Sequence, residues 1–123
     1  MRKLWLAFSV VLVLCAAAAL AEEHFGIKVY PGALYDAANS NKLKERMGVE
    51  GVAVACFTTN DSAAKVVTFY KTQPGLKLMG KATDEGAKFT KNNTDVTIFS
   101  AWVNMTTGQF MRNTLISIVQ WKK

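Results

Sequence analysis

Val52-Ala53-Val54-Ala55-Cys56-Phe57-Thr58, then Thr59-Asn60-Asp61-Ser62, then Ala63-Ala64-Lys65-Val66-Val67-Thr68-Phe69-Tyr70-Lys71, decides the architecture of this chain. The first seven residues are apolar on both faces of an extended strand, which predicts a central strand covered on each side. The next four are rich in side-chain oxygens that can accept the free N–H groups of a helix start, so Asp61 and Ser62 are the expected caps. Ala63, Val66, Val67 and Tyr70 then recur at i, i+3, i+4 and i+7, one face of a helix over about 61–71. Gln73-Pro74-Gly75 ends it.

Upstream, Ile27-Lys28-Val29-Tyr30 alternates as far as Pro31-Gly32, a short strand and its turn. A short helix starts at Asn39 or Ser40, turns Leu43 and Met47 inward and stops at Gly48. After the main helix the period falls to two. Leu76–Met79, Ala87–Lys91, Thr94–Val103 and Thr114–Trp121 read as strands, and Asn92-Asn93 suits a tight hairpin turn. In the third of these, Val96, Ile98, Ser100 and Trp102 are expected to share a face. In the last, Leu115, Ser117, Val119 and Trp121 lie opposite Ile116 and Ile118. The order gives an α+β fold: an antiparallel β-sheet with the main helix and the short helix packed together on one face.

The N-terminus carries an address. Arg2 and Lys3 precede the apolar run Leu4–Leu14, and Ala19-Leu20-Ala21 is followed at once by Glu22-Glu23. This is the pattern of a secretory signal peptide over residues 1–21, cleaved between Ala21 and Glu22. The apolar stretch only reaches the lower limit for a membrane span, about 17–20 residues, and no basic cluster follows it. No stable membrane span is therefore expected after signal removal. Lipid attachment at Cys15 is the alternative, and it would tether the protein to the envelope. Leu14 fills the place where that processing needs a small residue.

Residues 22–123 are expected to form one domain, able to build a core without disulfide staples. Losing Arg2 and Lys3 lowers the 15 basic residues to 13 against 9 acids, a net charge of +4. Lys65, Lys71, Lys77, Lys81, Lys88 and Lys91 are spread along the chain and interrupted by Asp84 and Glu85, unlike the basic stripe of a nucleic-acid protein. Cys56 is left as a free thiol with no internal partner. In an apolar strand it reads as a small buried hydrophobe, and if exposed it would be a reactive thiol or a dimer link.

Tyr30-Pro31-Gly32-Ala33, Thr59-Asn60-Asp61-Ser62 and Val66-Val67-Thr68-Phe69-Tyr70-Lys71 together resemble a family of small exported bacterial proteins of unknown function. The likeness spans Tyr30 to Trp121. Its motifs are a turn, a helix start and a helix face, so it implies export and a fold and carries no catalytic residue.

The chemistry-bearing residues are sparse. His24 is the single histidine, and no Cys/His set has metal-ligand spacing. No phosphate loop, dinucleotide fingerprint or nucleophile elbow occurs, and no cofactor is expected. Asp36, Glu50, Asp84, Glu85 and Asp95 could supply a carboxylate pair for a small hydrolase or isomerase, although nothing in their spacing pairs them. Trp102 and Trp121 are the candidate interaction surface, since aromatics concentrate at interfaces. The expectation is an exported, periplasmic or secreted protein without enzymatic chemistry, binding an envelope protein or a small ligand. An exposed apolar patch containing Trp102 or Trp121 would be its mark.

Overall fold

A computed structural model describes residues 22–122; the expected signal segment, including Cys15, Ala19 and Ala21, lies outside the described residues. The chain runs β1 (Glu23–His24), β2 (Ile27–Lys28), β3 (Leu34–Tyr35), α1 (Ala37–Met47), β4 (Ala53–Thr59) and α2 (Ala63–Lys71). It continues with β5 (Lys77–Thr83), β6 (Gly86–Lys91), β7 (Thr94–Phe99), β8 (Trp102–Val103), β9 (Phe110–Met111) and β10 (Thr114–Gln120). Six strands form an antiparallel sheet in the order β3-β4-β10-β7-β6-β5, and β1-β2 and β8-β9 are separate two-stranded ribbons. The α+β architecture with two helices packed against a sheet is as the sequence predicts.

Register divides the sheet into two unlike faces. Phe57 lies opposite Ile116, which lies opposite Ile98, and Ala55 and Val96 flank Ile118 in the same way. With Phe89 these side chains form the main core, which α2 closes with Ala63, Val66, Val67 and Tyr70. The other face carries Cys56 and Leu115 in a smaller cluster with Trp102, and Leu43 of α1 packs on it. The helices therefore lie on opposite faces, not one. A strand that is apolar on both sides needs a cover on each, and one helix supplies each cover.

The helix starts also differ in detail. Ser62 caps α2, its hydroxyl accepting from the Lys65 N–H at 3.2 Å. Asp61 is not a cap. Its carboxylate accepts from the Tyr30 hydroxyl at 2.6 Å, and its carbonyl accepts from Thr114 Oγ1 at 2.7 Å. Asp36 caps α1, three residues earlier than Asn39, by accepting from the Asn39 N–H at 3.0 Å. Gly48 stops α1 in the left-handed conformation that a residue without Cβ adopts at little cost. Gly86 is required for a different reason: a Cβ there would stand 1.9 Å from the Ile98 carbonyl oxygen.

The predicted strand at 27–30 pairs as a strand only at Ile27 and Lys28; beyond it the Val29 N–H donates to the Glu22 carbonyl at 2.8 Å, and the Tyr30 N–H finds its partner in a side chain. The buried Tyr70 hydroxyl accepts from the Tyr30 N–H at 3.1 Å and donates to the Lys28 carbonyl at 2.9 Å. Burial holds the Tyr70 proton well above the usual tyrosine range. Donation to Asp61, with burial and the carboxylate charge adding to it, raises Tyr30 to about 12.

Both tyrosines bind their protons more tightly in the folded chain. Their contribution to stability is thus full below the ordinary tyrosine pKa of 10.0 and is lost as pH rises from there through the raised folded-state values. Thermal melts should show a lower midpoint at about pH 11 than at about pH 8. Tyr70→Phe strands two backbone groups and should cost about 1–3 kcal/mol at about pH 8, while removing part of the alkaline loss.

Candidate functional groove

The face opposite α2 is only partly covered, and its cover is made by non-local polar contacts. Asn39 is buried in α1 because Asp36 takes its Nδ2 at 2.7 Å. Its Oδ1 accepts from the Met105 N–H at 2.9 Å. That bond ties the loop between β8 and β9 to the helix. Within the loop, Asn104 Oδ1 accepts from the Thr106 and Thr107 N–H groups, and the Gly108 N–H closes onto the Asn104 carbonyl. The ribbon stands beside α1 as a second wall.

Between these walls runs an apolar groove of about 320 Å³. Leu115 and Ser117 of β10 form its floor, Leu43 one wall, Trp102 and Met105 the other, and Phe99, Val103 and Phe110 its open rim. Phe110 is 62 % exposed. No charged side chain lines the groove. A shallower depression behind α1 is rimmed instead by Lys44, Glu45 and Glu50, as a solvated helix face would be.

Trp102 is 4 % exposed, so it is a wall of the groove and not an open surface residue. The expectation that it shares a face with Val96 and Ile98 fails because the strand bends at Ser100 and Ala101. There the Ser100 N–H makes the last bond in the β6–β7 register, to the Glu85 carbonyl, and the chain then turns away. The Trp102 indole N–H donates to Asn113 Oδ1 at 2.8 Å, which fixes the ring against Leu115. Trp121 is partly exposed but stands beyond the other end of β10, its indole N–H donating to Asp95 at 2.9 Å. The six residue steps from Leu115 to Trp121 span about 20 Å of strand, so the two tryptophans do not form one patch.

Cys56 is fully buried beneath the groove. Its N–H donates to Ser40 Oγ at 2.7 Å, replacing the strand neighbour that β3 is too short to supply. Burial pushes the thiol up to about 11; the Ser40 hydroxyl opposes this and the Asp36 charge adds to it. A thiol so placed is a poor nucleophile at neutral pH. His24 stacks on Tyr35 and meets the edge of Phe57 at 5.1 Å, so it is packed and not loose. Successive residues of a strand point to opposite faces, so the sheet separates His24, beside Phe57, from the Cys56 thiol.

Among the described residues no three His, Cys, Asp or Glu side chains gather as a metal site. Asp36 is occupied as a helix cap, and Asp95 is held by Trp121 and by Lys88 at 3.8 Å. Glu50, Asp84 and Glu85 are exposed. No helix among the described residues is long and apolar enough to cross a membrane. Compared with protein-family models, curated proteins and solved structures, the chain has no match.

Asn39 has the composition of a helix start, yet it positions one wall of the groove. Asn39→Ala should lower stability by about 1–3 kcal/mol by stranding the Met105 N–H. Hydrogen exchange should accelerate at Met105 far more than at Ile116, whereas Tyr70→Phe should not single out Met105.

Proposed function

We infer that this is an exported, non-enzymatic binding or accessory protein that works through the groove between α1 and the β8–β9 ribbon. The observation that carries this reading is an open apolar groove rimmed by Phe99, Val103 and Phe110 and lined by no charged group. Exposed apolar surface of this kind is retained where something covers it. Nothing in the lining offers an acid, a base or an activated nucleophile, so the groove is suited to holding a ligand and not to transforming one. Export is supported by the pattern of Arg2-Lys3, Leu4–Leu14 and Ala19-Leu20-Ala21, and by the resemblance over Tyr30 to Trp121. The partner classes are an envelope protein or a small ligand, in the periplasm or outside the cell.

A photo-crosslinking residue placed at Phe110, and separately at Lys81 on the far edge strand, tests this in the native cells. The recovered protein should have an intact mass beginning at Glu22 and should carry discrete adducts at Phe110 but not at Lys81. Equal labelling at both positions would remove the groove as the working surface. A mass retaining residues 1–21, or bearing lipid on Cys15, would replace free export with membrane attachment.

A further inference from the structure

The groove floor holds one polar atom without a partner. Ser117 is 5 % exposed, yet its hydroxyl makes no hydrogen bond among the described residues. No fully buried side-chain oxygen or nitrogen among them lacks a partner, so this oxygen is reachable, and the space it reaches is the groove that Ser117 lines. Register places Ser117 between Cys56 and Thr97, with Leu115 two positions along the same face. The Trp102 indole is engaged with Asn113, and the Ser40 hydroxyl with Asp36 and Cys56.

A hydroxyl can donate and accept one hydrogen bond with a ligand at the base of apolar walls. A charged ligand group would lose its water there and meet no counter-charge, which is unfavourable. The lining therefore selects a neutral molecule. A volume of about 320 Å³ lies at the small end of ligand sites, which run from about 300 to 1,000 Å³.

We propose that the groove binds a small, neutral, mainly apolar molecule, aromatic or aliphatic, whose single hydroxyl or carbonyl group bonds Ser117 Oγ. This rests on the reading of the chain as a binding protein and names the ligand class. A macromolecular segment would cover the rim at Phe110 and Val103 without needing the floor hydroxyl.

The test is a nitrogen–proton NMR titration of the purified protein with 4-ethylphenol, ethylbenzene and 4-ethylbenzoate. 4-Ethylphenol should shift the Trp102 indole, Leu115 and Ser117 signals saturably, ethylbenzene should bind more weakly, and 4-ethylbenzoate weakest of the three. Ser117→Ala should weaken 4-ethylphenol about two- to tenfold, the worth of one neutral hydrogen bond, and leave ethylbenzene unchanged. Ala101→Trp, a substitution at the groove wall, should weaken both. The proposal is overturned if neither neutral probe saturates, if the carboxylate binds as tightly as the phenol, or if Ser117→Ala weakens phenol and hydrocarbon alike. Failure here with a discrete Phe110 adduct would leave a groove for a protein segment; failure of both would remove the binding reading itself.

Discussion

One phenolic oxygen holds together parts of the chain that the sheet does not. Lys28 to Tyr30 leaves its short ribbon with backbone groups that face the interior, where an unpaired N–H or C=O costs about as much as a lost hydrogen bond. The Tyr70 hydroxyl satisfies one donor and one acceptor from that segment. It can do so only if α2 lies at one height and one rotation over the sheet. The same geometry brings Tyr30 to Asp61, and the Asp61 carbonyl to Thr114 at the start of β10. Helix, N-terminal segment and central strand are thus fixed relative to one another by four hydrogen bonds around an apolar core.

The two faces of the sheet serve different ends. Against α2 the packing is complete, with Phe57, Ile98, Ile116 and Ile118 withdrawn from water. On the opposite face α1 lends Leu43, and a two-stranded ribbon lends Trp102 and Met111. That cover is held by polar contacts to Asn39 and Asn113. A rigid floor with a wall held by a few hydrogen bonds is a common way to place a binding surface on a stable frame. The free thiol beneath it is withdrawn from water and packs with Trp102 and Leu115.

Local pattern carried most of the fold. The stripe from Ala63 to Tyr70 faces the core as its spacing demands, and the alternation from Leu115 to Val119 sorts the two faces of β10 correctly. The apolar doubling of Val52 to Thr58 already implied a cover on each face, which placing both helices on one side overlooked. What local pattern does not reveal is contact across distance. Asp61 has the composition of a cap, and only a partner 31 residues away turns it into an anchor. Asn39 has the look of a helix start until a loop 66 residues on fastens to it. The groove exists because of that second contact. Its one clue in the sequence was aromatic content around Trp102 and Phe110.

Strand order has a further consequence, for the timing of folding. β10 lies between β4 and β7, yet it comes later in the chain than every other strand. Until Thr114–Gln120 has been made, β3-β4 and β5-β6-β7 are two fragments with no shared edge, and neither can close the main core. Such long-range pairing slows folding, because distant segments must meet before burial rewards them. Before then the apolar faces of both fragments stay open to water.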